Sequence, residues 1–590
     1  MQEVKNRNNN RLYLYLILII IFFLPVILKL IDFQVVNGAS NYQLSKISVV
    51  SKESLDAQRG RIFDRNGVLL AYDEPSYKLV IDNSQFSESL EKGIISKIAA
   101  YTNTPESELY DSYLSKTRDK DNKRLLFKDI VLLSSIERDE VLSIISNQKD
   151  LPGINVETNF RRKYPYGDVL AHVMGYTGEA SQSDISSDPT LQKGDILGKY
   201  GIEKSYDSML RGKNGQITIN KIDGSEQVTP TVSGNDIYLS IDINLQQKLF
   251  DSMKTKLEKA NLKSGGATIM DTNTGELLAM VSFPSFDPNL FTKFLKQSDY
   301  SKLLSNPNLP LINKVISYPV SPGSTFKVIV ATSALEEGSI TKDTVFDSTG
   351  CISIDGVNKF CEAGKVSYGN LNLEMGLAKS SNIYFCNVML KLGIDKLNKY
   401  ASIMNLSSKT DIDIPGEVTG TIASKEIKRK VDKTDWYEGD SCNTAIGQGL
   451  TRLTPIQLVD VASLVANEGY NYVPHLALEV KDSRGKSIWQ YKVTNYTKTP
   501  FNQETFKDIK TGMHAVVNKG GTGYTLKGMP ENFAIKTGSA EVTSNGNKSA
   551  NSFSIGFWPY DAPKYAFSIF IEDGSWGYNS VEVLKNTFTK

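Results

Sequence analysis

The sequence predicts an α+β protein in which one apolar N-terminal helix is followed by two folded bodies. Three observations carry this. Residues 12–28 are an apolar run containing Pro25, and at about 1.5 Å per residue such a helix nearly crosses a ~30 Å hydrocarbon layer. The 590 residues exceed one ordinary domain and fit two large ones. Strand-like runs at 266–281 return at 533–536, 552–557 and 565–571, with helical segments between. That order makes one sheet completed by both ends of the second body.

Lys5, Arg7 and Arg11 precede the apolar run, and Lys29 and Asp32 close it. Basic residues ahead of a span favour a cytoplasmic tail at 1–11, a transmembrane helix at 12–30 and an extracytoplasmic remainder. The competing reading is a cleaved signal peptide. Its apolar stretch would be unusually long, and the small-residue cluster Gly38-Ala39-Ser40 lies well past it.

Residues 31–240 read as a mixed α/β body. After a neck at 31–58, residues 59–71 read as two short strands around Asn66-Gly67, a strong hairpin signal. Residues 84–150 carry helical spacing, for example Leu90, Ile94, Ile95 and Ile98, broken at Asn103-Thr104-Pro105. Short strands and turns fill 155–240. The run 236–241 alternates as a strand, and Asp242 caps a helix through Leu245, Leu249 and Met253. The boundary is placed near 240, so 241–590 is the second body. It opens with a hairpin turning at Asn273-Thr274-Gly275.

Composition excludes some classes. A net charge of +1 offers no broad basic field to attract nucleic acid. His172, His475 and His514 are far apart and form no metal-spaced cluster. Four cysteines are too few for a disulfide-built fold of this length.

Three short elements carry chemistry: Ser324-Thr325-Phe326-Lys327, Ser380-Ser381-Asn382 and Lys536-Thr537-Gly538. A serine hydroxyl is a poor nucleophile until a base takes its proton. Ser324 follows the Pro322-Gly323 turn and starts a helix through Val328, Ile329, Ala331 and Leu335, so Lys327 sits one turn on, along the same face. A lysine buried there loses proton affinity, which suits it as the base. The bland reading is a helix-capping serine with a solvent-facing lysine. Ser380 and Asn382 lie between two helical segments, where a polar turn can relay a proton and bind a substrate amide. Lys536 and Thr537 lie on an edge-strand pattern after Phe533-Ala534-Ile535, where they can grip a carboxylate. Gly538 lets a substrate backbone lie close, and the Ser539 N–H can serve an oxyanion. A second Lys510-Thr511-Gly512 falls at helical spacing and reads as a coincidence. Each triplet alone is common; the order, the local structure and the anchor together point to serine acyl transfer without histidine.

On these residues the chain resembles the class B penicillin-binding proteins, monofunctional peptidoglycan D,D-transpeptidases, over nearly its whole length. The resemblance also rests on the 59–71 hairpin, Tyr176-Thr177-Gly178, Gly201-Ile202-Glu203 and Leu210-Arg211-Gly212. In the second body it rests on Ser321-Pro322-Gly323, Gly447-Gln448-Gly449 with Thr454-Pro455, and Gly520-Gly521-Thr522. It implies a pedestal or dimerisation domain over 31–240. It implies a transpeptidase domain over 241–590, an antiparallel sheet with helices on both faces, as in serine β-lactamases. Ser324 would attack the penultimate D-Ala carbonyl of a stem peptide, Lys327 would take its proton, and the N–H groups of Ser324 and Ser539 would hold the oxyanion. Ser380 would relay a proton to the leaving D-Ala, and Lys536 and Thr537 would bind the terminal carboxylate. A neighbouring amine resolves the acyl-enzyme, water doing so as a D,D-carboxypeptidase side reaction, and β-lactams acylate Ser324 without being displaced.

The resemblance implies no required cofactor. Its implied partners are stem peptides, β-lactams, a SEDS-type glycan polymerase, cell-wall morphogenesis proteins and a second copy of the chain. Nothing in 31–240 resembles a glycosyltransferase. The chain reaches Lys590 soon after its last strands, without appended repeats, which leans toward elongation rather than division or sporulation.

One local departure concerns metal. Some relatives bind zinc beside the site through Asp, Cys and His, but here Tyr368 stands at the matching histidine and Ser381 at the middle of S-x-N. Cys351 and Cys361 instead flank a hairpin turning on Asp355-Gly356. Three readings stay open for them: a disulfide, free thiols, or a metal pair with Asp347. Two rivals to the transpeptidase are a membrane-bound β-lactamase or penicillin sensor, and a scaffold without catalysis.

Overall fold

The computed structural model describes residues 2–36, 50–82, 86, 90–118, 129–188, 191, 194–220, 223–354, 356, 359–544 and 547–589. The chain forms two compact units, one of residues 1–58 with 212–233, the other of 59–211 with 234–590. In the first unit, helix α1 runs Gln2–Ile31. Among the described residues, the stretch long and apolar enough to cross a membrane is Ile17–Val36, which overlaps the expected 12–30. Its described large apolar side chains are exposed, from Ile31 at 46% to Val35 at 75%, a contiguous apolar surface that water does not tolerate. Residues 37–49 of the expected neck lie outside the described residues. Three antiparallel strands, Val50–Leu55, Gly215–Asn220 and Glu226–Thr229, complete the unit.

In the second unit, the expected hairpin forms: Ile62–Phe63 pairs with Leu69–Asp82. Gly67 takes φ +83°, and the Asp64 carboxylate accepts from Asn66 N at 2.8 Å and Val68 N at 2.7 Å. Helices Glu91–Tyr101, Glu106–Thr117 and Arg138–Ser146 form within 84–150. The helical reading of that region fails at Asp129–Ile136, a strand beside Leu69–Asp82. Four successive apolar residues, Ile130 to Leu133, carry no period that separates a buried strand from a buried helix. Ile94, Ile95, Ile98 and Leu109 pack with Leu79, Ile81 and Leu132 into one core.

The strand Asp236–Leu239 lies at the expected boundary. It runs parallel to Ile62–Phe63 on one side and antiparallel to Ala477–Lys481 on the other. The two sequence regions therefore share a seven-stranded sheet. Beneath it lies a buried ionic cluster. Arg59 and Arg162 both pair with Glu203, at 2.6 and 2.7 Å, and reach Asp207 and Asp73.

Next come helix α2 (Ile243–Lys259), capped by Asp242 as expected, and strands β1 (Gly265–Asp271) and β2 (Leu277–Phe283). Helices α3 (Lys327–Glu336), α4 (Asn382–Leu392), α5 (Glu438–Ala445), α6 (Pro455–Ala466) and α7 (Gln503–Asn518) follow. Strands β3 (Ala534–Ser544), β4 (Asn547–Trp558) and β5 (Tyr565–Ile571) and helix α8 (Tyr578–Thr589) close the fold. The sheet is antiparallel in the order β2-β1-β5-β4-β3, so both ends of the body do complete it and β3 is an edge. Period-two alternation divides its faces. Ala267, Ile269, Phe567 and Ile569 pack with Leu249, Val581 and Leu584 of α2 and α8. Met270, Ala566 and Phe570 point to the other face, with the wholly buried α6.

Candidate active site

The turn that carries Ser324 is fixed by backbone crowding. Residues Gly323–Phe326 form one 3-10 turn that runs directly into α3, so Ser324 sits at a helix start as expected. Gly323 has φ +56°, and a Cβ there would lie 2.8 Å from Ser539 O. A Cβ on Gly538 would lie 2.9 Å from Pro322 O. The two glycines let the Ser324 turn press against the Lys536-Thr537-Gly538 strand, backbone to backbone. From behind, Gly323 N donates to Gly447 O at 3.1 Å.

The three triplets meet at Ser380. Lys327 Nζ donates to Ser380 O at 2.6 Å and Asn382 Oδ1 at 2.8 Å, with a longer 3.4 Å contact to Ser380 Oγ. Lys536 Nζ donates to Ser380 Oγ and to Thr537 O, both at 2.8 Å. Ser380 adopts φ +55°, a left-handed conformation rare for a serine; it turns carbonyl and hydroxyl toward the two lysines. Among the described residues no hydrogen bond joins Lys327 Nζ to Ser324 Oγ, although the i, i+3 spacing keeps both on one helix face.

Both lysines are wholly buried. Burial pulls the Lys327 pKa down to about 7, partly opposed by the Glu362 carboxylate. Burial, and then the charge of Lys327, hold Lys536 well below the usual lysine range. Lys327 also stands 5.7 Å from the Phe385 ring centre. The solvent-facing reading of Lys327 is thereby set aside. The Thr537 hydroxyl bonds that of Thr522, which ties the Gly520-Gly521-Thr522 turn to β3. Ser539 Oγ accepts from Gly577 N at 3.0 Å. Lys510-Thr511-Gly512 lies on α7, where Lys510 pairs with Glu468 at 2.5 Å.

Cys351 and Cys361 face each other in a two-stranded ladder, Cys351–Ser353 with Lys359–Cys361, and form a disulfide. Gly356 in the expected turn has φ +81°, while Asp355 lies outside the described residues. Among the described residues no three His, Cys, Asp or Glu side chains are grouped to hold a metal. A second disulfide, Cys386–Cys442, joins α4 to α5. Sequence reasoning offered no signal for it, since 56 residues separate the pair. Glu362, Phe385 and this disulfide are the parts of the site that reading the sequence missed.

Residues 265–590 match the penicillin binding protein transpeptidase domain, and 54–239 the penicillin-binding protein dimerisation domain. The chain is 29% identical over 583 residues to the peptidoglycan D,D-transpeptidase MrdA of Escherichia coli, covering 94% of this chain and 89% of that one. Among solved structures, the penicillin-binding protein PBP2 of Helicobacter pylori in complex with MreC is 28% identical. It superposes with a TM-score of 0.78 over 91% of this chain and 98% of that one. PBP2 of Pseudomonas aeruginosa in complex with WCK 5153 is 26% identical, with a TM-score of 0.66 over 91% and 96%. With both domain matches in order along the chain and a D,D-transpeptidase relative over nearly its whole length, one conclusion follows: the chain belongs to the class B penicillin-binding proteins and is a peptidoglycan D,D-transpeptidase.

Proposed function

We propose that Ser324 is the acyl-enzyme nucleophile of this transpeptidase and that Lys327 is the base that activates it. The observation that carries this reading is the convergence of Lys327 and Lys536 on Ser380, with Asn382 Oδ1 also on Lys327 Nζ, one helical turn from Ser324. Neutral Lys327 takes the Ser324 proton as Oγ attacks the penultimate D-Ala carbonyl of a stem peptide. The short Lys327–Ser324 contact forms when substrate closes the cleft, as catalytic hydrogen bonds often tighten only in the complex. The N–H groups of Ser324 and Ser539 face the developing oxyanion. The C–N bond then breaks, and Ser380, fed by Lys327 and Lys536, passes a proton to the departing D-Ala amine. The Thr537 hydroxyl, with the buried charge of Lys536 behind it, receives the terminal carboxylate, and Gly538 admits the substrate backbone. The amine of a second stem peptide attacks the ester and restores Ser324. In a β-lactam the leaving nitrogen stays tethered, so the acyl-enzyme persists.

No step needs a cofactor. Sulfur tied up in the Cys351–Cys361 disulfide has no thiolate to offer zinc; metal content of oxidised and reduced protein tests the remaining metal reading. The domain limits proposed are 1–11, 12–30, 31–240 and 241–590. The family matches at 54–239 and 265–590 support them. Lys5, Arg7 and Arg11 before the span support a cytoplasmic N-terminus and a catalytic body outside the membrane. The role proposed is elongation, with a MreC-like morphogenesis protein and a SEDS-type glycan polymerase as partners; the H. pylori relative complexed with MreC supports the first. A homodimer through the pedestal is the remaining partner.

The deciding experiment labels the purified full chain with a fluorescent penicillin and maps the adduct by mass spectrometry. Label on the peptide containing Ser324, its loss in Ser324→Ala and release over hours support the reading. Release within seconds would make the protein a β-lactamase, and label on another serine would overturn the assignment.

A further inference from the structure

A buried carboxylate that acyl transfer does not use stands behind the Ser380–Asn382 turn. Glu362 is 4% exposed. Its Oε2 accepts from Asn382 N at 2.6 Å. Its Oε1 accepts from Ile383 N at 3.1 Å, Ser348 Oγ at 2.9 Å and, closer still, Ser381 Oγ. Three of these donors belong to consecutive residues, 381 to 383, at the start of α4. The preceding carbonyl, Cys361 O, takes Asn382 Nδ2 at 3.2 Å. Asn382 is thus held by its backbone N–H and its Nδ2, which leaves Oδ1 aimed at Lys327 Nζ, 2.8 Å away.

The mount of Glu362 is rigid. It directly follows the cross-linked Cys351–Cys361 pair, and its own N–H donates to Gly350 O at 2.9 Å. Ser381 Oγ caps α4 by accepting from Tyr384 N at 3.0 Å, and Glu362 takes the Asn382 and Ile383 N–H groups that this cap leaves over, so one carboxylate holds both the helix start and the turn before it. Four titratable groups meet here from four elements: Lys327 on α3, Lys536 on β3, Glu362 after the cross-linked hairpin, and Tyr368, whose phenol burial and then Glu362 push up. Glu362 is the carboxylate among them.

We propose that Glu362 is a positioning residue for acylation: its carboxylate fixes the Ser380–Asn382 turn so that Ser380 O and Asn382 Oδ1 meet Lys327 Nζ, and its charge faces that ammonium. Two properties of one group follow. Its shape sets how fast Ser324 is acylated, and its charge sets the pH at which Lys327 becomes a base, because Glu362 favours the protonated lysine. This rests on Lys327 being the base.

The test measures second-order acylation of the full chain by a chromogenic β-lactam from pH 5.5 to 9. Glu362→Gln keeps the size but removes the charge and one acceptor. Its plateau rate is expected to fall about 10–100-fold, with the rise in rate moved about one pH unit lower. Glu362→Asp keeps the charge but is a methylene short, so its plateau falls while its midpoint stays nearer the wild type. Ser348→Ala removes a Glu362 partner outside the triplet and leaves the midpoint in place. A folded Glu362→Gln protein with the wild-type plateau and midpoint overturns the proposal. If that variant does not fold, Glu362→Asp with a wild-type plateau overturns it. Failure of the underlying base assignment is distinguishable, because wild type itself then lacks the rise near neutral pH.

Discussion

Lys327 and Lys536, both wholly buried, aim their ammonium nitrogens at one residue: Lys536 Nζ lies 2.8 Å from Ser380 Oγ, and Lys327 Nζ lies 2.6 Å from Ser380 O. Two like charges buried around one residue cannot both stay protonated at neutral pH without cost. Proton affinity is therefore low where acyl transfer needs a base.

The first consequence is a pH profile. Lys327 accepts a proton only when neutral, and its pKa is pulled down to about 7 by burial. Acylation by a β-lactam is expected to rise between pH 6 and 8 and then level off, read by stopped-flow fluorescence. Stability changes in the same direction. The unfolded lysine has its pKa at 10.5 and the folded one at about 7, so the unfolded state binds more protons between those values. Stability then increases with pH across that window. Lys327→Met, which cannot acylate, is expected to be more stable than wild type at pH 6. The ceiling is ~5 kcal/mol, reduced by the hydrogen bonds lost at Ser380 and Asn382. A wild-type rate flat from pH 6 to 8 rules out Lys327 as the base.

Gly447 is expected to tolerate no side chain. It has φ +70°, and a Cβ there would lie 2.2 Å from Gly323 O, in the turn that presents Ser324. Gly447→Ala must displace that turn or break the Gly323 N to Gly447 O bond. A shift of about 1 Å at a nucleophile costs on the order of 100-fold in rate. The expected result is penicillin acylation reduced at least tenfold in a protein that still melts cooperatively. Normal acylation by Gly447→Ala contradicts this packing.

What could be read from sequence followed local rules. The Asn66-Gly67 hairpin, the Asp242 cap, the β1–β2 hairpin and the edge position of Lys536 each depend on a few adjacent residues, and each appears. The strand Asp129–Ile136 was not legible because an apolar run without period fits a strand or a helix. The residues of the three motifs are brought together in the fold. Glu362 was not legible, because its role depends on residues 381 to 383 approaching across a turn. The Cys386–Cys442 bond and the double grip on Ser380 are likewise products of packing, with no spacing that foretells them.

Glu203 is expected to hold the head of the pedestal region together. It is buried between Arg59 at 2.6 Å and Arg162 at 2.7 Å. Burial alone raises its pKa, but the two guanidiniums outweigh it and leave the carboxylate below its ordinary value. Glu203→Gln leaves two buried cations short of a partner, which costs about 3–5 kcal/mol. The wild-type contribution is present above the unfolded carboxylate pKa and is lost as pH falls through the lower, folded value. Melting curves at pH 7 and pH 3 check both statements: a large Tm gap between wild type and Glu203→Gln at pH 7, narrowing at pH 3. A gap of the same size at both pH values would mean that shape, not charge, is at work.

The two Lys-Thr-Gly triplets give an internal control. Lys510 sits on α7 and pairs with a partly exposed Glu468 at 2.5 Å, an arrangement worth about 0–1 kcal/mol. Lys536 sits on the β3 edge, wholly buried, with its ammonium on Ser380 Oγ. Lys510→Ala is therefore expected to acylate at the wild-type rate and to melt within a few degrees of it. Lys536→Ala leaves Ser380 Oγ without this donor and removes the charge behind Thr537, so its acylation falls by about 100-fold. Both variants lose the same side chain from the same tripeptide; only the packing around it differs. Equal losses in the two would mean that Lys-Thr-Gly acts through general stability, and the convergence on Ser380 would lose its mechanistic meaning.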